Sequence, residues 1–100
     1  MIIRIVKMSF LEDKVQEFIE DFKNSREDVM GFDGCELLDL LEVKGEPNVY
    51  MTYSYWRDEE SLENYRHSDL FKSVWIPTKE KFSAKPEAWT MERVLGVHNH

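Results

Sequence analysis

The run Val49-Tyr50-Met51-Thr52-Tyr53-Ser54-Tyr55-Trp56 is β-branched or aromatic at almost every position and reads as a strand. A strand with one face in water alternates apolar with polar residues. Here Val49, Met51, Tyr53 and Tyr55 fall on one side while Tyr50 and Trp56 fall on the other, so neither side is built for water. The run Cys35 to Val43 repeats the problem, with Cys35, Leu37 and Leu41 on one side and Leu38 and Leu40 on the other. Helices from the rest of the chain can cover one face of such a sheet. The other face calls for a partner, and the economical one is the same face of a second copy in a two-fold homodimer.

The remaining elements follow from periodicity and punctuation. Ile2 to Met8 is a β-branched strand. Ser9 and Glu12 match a capping box, and Leu11, Val15, Phe18, Ile19 and Phe22 then recur at helical spacing, predicting an amphipathic helix over 11–28. Gly31-Phe32-Asp33-Gly34 is a turn, and Lys44-Gly45-Glu46-Pro47-Asn48 turns one strand back on the next. Asp58 caps a short helix carrying Leu62 and Tyr65. Ser68 caps a further helical segment with Leu70, Phe71, Val74 and Trp75, which Pro77 ends or kinks. A last strand occupies 88–95, and 96–100 frays. The order β-α-β-β-α-β is α+β and ferredoxin-like, an antiparallel sheet with helices on one face.

A chain of 100 residues has room for one domain, over 1–100 with its core in 2–95. Its 20 acidic side chains against 13 Lys and Arg, with no basic run, oppose binding to nucleic acid. Apolar runs fall far short of the roughly 18 residues that span a bilayer, and Met1-Ile2-Ile3-Arg4 lacks a signal peptide's layout, so no membrane partner and a cytoplasmic location are expected. The lone Cys35 forms no internal disulfide and supplies no multi-thiolate metal site; it reads as a small hydrophobe. His98 and His100 make a poor metal pair, and no metal site is expected. Phosphate-cradling glycine loops, a Gly-x-Ser-x-Gly elbow and a His-Glu-x-x-His helix are all missing.

Within this architecture, Tyr53-x-x-Trp56 followed by Leu62-x-x-Tyr65-x-x-Ser68-x-x-Phe71 resembles the signature of the antibiotic-biosynthesis-monooxygenase superfamily of dimeric α+β barrels. Gly31 to Cys35 looks like that family's turn into its second strand, and the likeness extends over residues 2–95. The resemblance implies small homodimers that often act on polycyclic phenols, quinols or related aromatic compounds with molecular oxygen, commonly without metal or flavin cofactors. Other members degrade haem, isomerise small molecules or have no established activity. Three positions depart from the pattern: Ser54 stands where many members have Glu, Tyr65 where many have His, and Trp75 where the haem-degrading branch has an axial His. Haem degradation is therefore not expected.

The candidate site residues divide by chemistry. Tyr65, on the inner side of its helix, could hydrogen-bond a substrate oxygen or pass a proton; as a core tyrosine it would only satisfy its hydroxyl at a rim. His67, with an imidazole pKa of about 6.5, suits acid–base work, or else it sits in solvent at a helix end. Trp56, Trp75 and Tyr53 could wall a flat ligand or simply fill the core. Arg4 and Asp39 interrupt apolar strands; each reads as a substrate contact, as one of a pair of charges if both face the interior, or as a residue at the dimer edge. Arg93 has the same status. The functional expectation is a cofactor-independent monooxygenase of small aromatic or quinol-like compounds. A non-catalytic dimeric small-molecule binder, or an isomerase or lyase of the same fold, is the alternative.

Overall fold

The computed structural model describes residues 1–96. Strand β1 (Ile2–Ser9) leads through a 3₁₀ turn (Glu12–Lys14) into helix α1 (Val15–Met30). Strands β2 (Cys35–Glu42) and β3 (Val49–Trp56) form a hairpin, followed by helices α2 (Glu59–Arg66) and α3 (Asp69–Lys79) and strand β4 (Glu87–Glu92). The sheet order is β2-β3-β1-β4, antiparallel throughout, so the ferredoxin-like α+β expectation holds.

Register assigns the faces. Under the helices run the rows Cys35–Trp56–Ile2, Leu38–Ser54–Arg4–Thr90, Leu40–Thr52–Val6–Ala88 and Glu42–Tyr50–Met8. On the opposite face run Leu37–Tyr55–Ile3–Met91, Asp39–Tyr53–Ile5–Trp89 and Leu41–Met51–Lys7–Glu87. One cluster of the core gathers Met8, Phe10, Val15, Phe18 and Tyr50, with the Phe10 and Phe18 rings stacked at 4.1 Å. A second cluster joins Ile2, Trp56 and Leu62, with Phe32, Cys35 and Tyr65 against it. The open face keeps Trp89, Met91 and Leu41 exposed, and no helix of the described residues is long and apolar enough to cross a membrane.

Several local expectations change. The Ser9–Glu12 capping box does not form: Ser9 stays in β1 and the helical turn starts after Leu11 with no side-chain cap. Extending the strand path carries Phe10 into the core, 2% exposed and bridged to Phe82. Burying a Phe outweighs a cap's contribution of about 1 kcal/mol. Helix α1 runs on to Met30 because Val29 is a core residue. Cys35 and Leu37 do not share a face, since a bulge between them inserts Glu36 and turns Cys35 toward the helices. Pro77 does not end α3: the helix reaches Lys79, although Pro77 has no N–H to give the Ser73 carbonyl, and Thr78 Oγ1 donates to the Val74 carbonyl at 2.7 Å. Strand β4 occupies Glu87–Glu92, shifted from 88–95. Apart from Gly96, the tail expected to fray, with His98 and His100, lies outside the described residues.

Candidate active site

Asp58 and Ser68 set the helices over the sheet. Asp58 Oδ1 accepts from the Ser61 amide at 2.8 Å and starts α2; Ser68 Oγ accepts from the Phe71 amide at 3.1 Å and starts α3. Gly34, at φ 94°, lies so close to α2 that an added Cβ would stand 2.3 Å from Ser61 Cβ. Arg57 ties the same corner, donating to both Asp33 carboxylate oxygens at 3.1 and 3.2 Å and to Ser61 Oγ at 3.1 Å. Hydrogen bonding from Arg57 holds the Asp33 carboxyl below the usual range, and Ser61 does the same for Asp58. Far from this corner, buried Lys81 reaches Asp21 at 3.1 Å and the Pro77 carbonyl at 2.9 Å, clamping α1 against the end of α3.

Between the helices and the sheet remains a cavity of about 320 Å³. Its floor is Leu38, Ser54 and Arg4 in one row and Thr52, Val6 and Ala88 in the next. Phe18, Phe22 and Val29 of α1, Leu62, Tyr65 and Arg66 of α2, and Phe71, Val74 and Trp75 of α3 enclose it. All of β4 is exposed, so the cavity opens toward that edge past Ala88 and Pro86.

An aromatic chain lines one side. Trp56 and Tyr65 stack at 5.0 Å, Tyr65 meets Phe71 edge-on at 5.3 Å, and Phe71 stacks on Trp75 at 5.9 Å. The Trp56 indole N–H is taken by Ser54 Oγ at 3.0 Å, whose own hydroxyl reaches the Arg4 carbonyl at 3.4 Å. Trp56 is thus an inert wall. The Tyr65 hydroxyl has no hydrogen-bond partner among the described residues, and burial pushes its pKa up to about 12. It stays a neutral O–H donor at physiological pH. Burial also pushes the Cys35 thiol up, away from the reactive thiolate.

Of the residues singled out in the sequence, Tyr65, Trp56, Trp75 and Arg4 line this one cavity. His67, Tyr53 and Asp39 stand elsewhere. His67 terminates α2 with its side chain 78% exposed and its Nδ1 2.8 Å from the Glu63 carbonyl oxygen. Tyr53 and Asp39 face each other on the open side of the sheet, where the Tyr53 and Tyr55 hydroxyls lie 3.1 Å apart. Arg93 also belongs there, its guanidinium 6.0 Å from the Tyr55 ring centre. Arg66 lines the cavity and was not singled out; its spacing of four from Leu62, on the same helical face, was the available signal.

The family model for antibiotic biosynthesis monooxygenase matches residues 1–74. The chain belongs to this family. A conserved protein from Methanosarcina mazei Go1 superposes on this monooxygenase-family chain with a TM-score of 0.85 at 27% identity, over 92% of each chain. A candidate antibiotic biosynthesis monooxygenase from Caulobacter crescentus CB15 gives 0.87 at 20% identity, over 94% of this chain and 90% of that one. Another from Deinococcus radiodurans gives 0.88 at 12% identity, over 100% and 99%. The last two likenesses bear on the fold alone. No curated protein matches the chain.

Proposed function

We propose that this member of the antibiotic biosynthesis monooxygenase family binds a small aromatic, quinol-like molecule in the cavity beneath its helices and promotes its oxidation by molecular oxygen. The observation that carries this reading is the Tyr65 hydroxyl, without a hydrogen-bond partner among the described residues, on an aromatic wall of a half-enclosed apolar cavity. A volume of 320 Å³ is at the small end of ligand sites, which run from about 300 to 1,000 Å³.

The chemistry resides in the substrate. Loss of one proton leaves a delocalised carbanion, which passes an electron to O₂; recombination gives a peroxide that expels water. The net change at a ring methylene, which a quinol carries in its keto tautomer, is CH₂ + O₂ → C=O + H₂O. The protein excludes water, holds the ring against Trp56 and Trp75, and donates the Tyr65 O–H to the oxygen that gathers charge.

As a folded unit, we propose a homodimer built by pairing the open sheet faces, covering Trp89, Met91 and Leu41. A second reading, a non-catalytic binding protein, is favoured by one observation: among the described residues, no imidazole or carboxylate lines the cavity.

An oxygen electrode with naphthohydroquinone separates the two. Catalysis predicts uptake proportional to protein concentration and reduced about a hundredfold in Tyr65→Phe. Uptake no faster than in buffer, with binding retained in calorimetry, selects the binding protein. Product formed under argon would instead identify an isomerase or lyase.

A further inference from the structure

Two guanidinium groups face the cavity from opposite walls. Arg4 rises from the middle of the floor in β1, and Arg66 closes the last turn of α2. Arg4 Nη1 donates to Thr90 Oγ1 at 2.7 Å, and no carboxylate of the described residues lies within ion-pair distance of Arg4. Arg66 is partly neutralised by Glu63 at 2.9 Å. A chain of net charge −7 thus places two cations in a cavity that, among the described residues, has no lining carboxylate and gives Arg4 no ion pair.

A half-buried guanidinium with no ion-pair partner among the described residues is unfavourable to keep unless something arrives to meet it. Guanidinium donors in a fork suit a carboxylate or another planar oxyanion better than any neutral group. Apart from the hydroxyls of Ser25, Thr52, Ser54, Tyr65 and Thr78, the rest of the lining is aromatic and aliphatic, so the complementary molecule has an apolar ring at one end and an anion at the other.

We infer that the cavity selects an aromatic anion, its ring against Trp56, Tyr65 and Trp75 and its charged oxygens held between Arg4 and Arg66. This rests on the cavity being the binding site, and it narrows the substrate class to ring carboxylates and ionised phenols. Burial, and after it the charge of Arg66, lower the pKa of Arg4, and the Glu63 carboxylate that pairs with Arg66 offsets them in part. An anion between the two guanidinium groups adds to that offset.

Calorimetry with naphthoate and with naphthalenemethanol, its neutral counterpart on the same ring, tests the inference. Wild type is expected to bind naphthoate about tenfold or more tightly than the alcohol at about 50 mM salt, with the preference shrinking as salt rises. Arg4→Gln and Arg66→Gln should each reduce the preference and together remove it, leaving affinity for the alcohol within about twofold. Arg66 is exposed, so its variant reports even if Arg4→Gln folds poorly. Equal affinities in wild type, or a preference that survives loss of both arginines, would overturn anion selection while leaving the cavity as a site. Binding of neither compound would overturn both readings.

Discussion

Tyr65 shows how one side chain's surroundings set its chemistry. Its phenol has pKa 10.0 in the unfolded chain and about 12 in the fold, because burial disfavours the phenolate. The native state therefore holds the proton that the unfolded state releases between these values. The resulting stabilisation is complete below pH 10 and is lost as pH rises through 12. Tyr65→Phe, which removes no hydrogen bond to the described residues, is expected to leave stability at pH 7 within about 1 kcal/mol. Urea titrations between pH 9 and 12 should show the steep alkaline loss shrinking by about 2 kcal/mol in the variant. An unchanged alkaline limb would show that the phenol is not desolvated. Lys81 is the contrasting case. Its ammonium is buried and paired with Asp21 through a partly exposed carboxylate, so Lys81→Ala should cost about 1–3 kcal/mol in denaturant melts.

At the scale of elements, the corner joining the β2 entrance to α2 governs how the cavity wall is placed. Gly34 combines positive φ with the close approach of Ser61, whereas Gly45, at φ 83°, has open space around its Cβ position. Gly34→Ala is expected to destabilise by more than about 2 kcal/mol and Gly45→Ala by about 1 kcal/mol, a difference that thermal melts resolve. Below pH 3.8 the same corner weakens: Asp33 and Asp58 are held below their ordinary pKa in the fold, so the stability they contribute is present above that pH and disappears as it falls.

Most of these elements were legible from residues alone. The β3 run and the Asp58 and Ser68 caps are local signals, and each element lies where they place it. The failures have non-local causes. A capping box at Ser9 lost to burial of Phe10, and a bulge at Glu36 reversed the facing of Cys35 without altering any propensity. Within the candidate site, Tyr65 and Trp75 project from the inner sides of two helices and Trp56 from the end of β3 into one cavity. Asp39 on β2 and Tyr53 on β3 lie in strands apolar on both sides, where pattern cannot say which face the helices cover; register decides it.

For the whole molecule, the open sheet face is the largest unmet demand. Its central rows hold Ile3, Ile5, Tyr53, Tyr55, Trp89 and Met91, broken chiefly by Asp39 and by the Lys7–Glu87 pair. Such a face is expected to pair in solution, with sedimentation equilibrium giving a dimer mass at micromolar concentration. Trp89→Glu, which sets a charge opposite Ile5 in the central row of that face, on its β4 edge, should yield a monomer. A monomeric wild type would remove the dimer from the proposal.

The cavity itself is tested most directly by closing it. Ala88 is exposed, lies on the helix side of β4 and lines the mouth, so Ala88→Trp can plug the opening with little penalty to the core. Oxygen uptake with a dihydroxybenzoate should fall at least about tenfold in this variant while its melting temperature and sedimentation stay those of wild type. Equal uptake by plugged and open protein, or no uptake by either, would contradict a catalytic cavity beneath the helices.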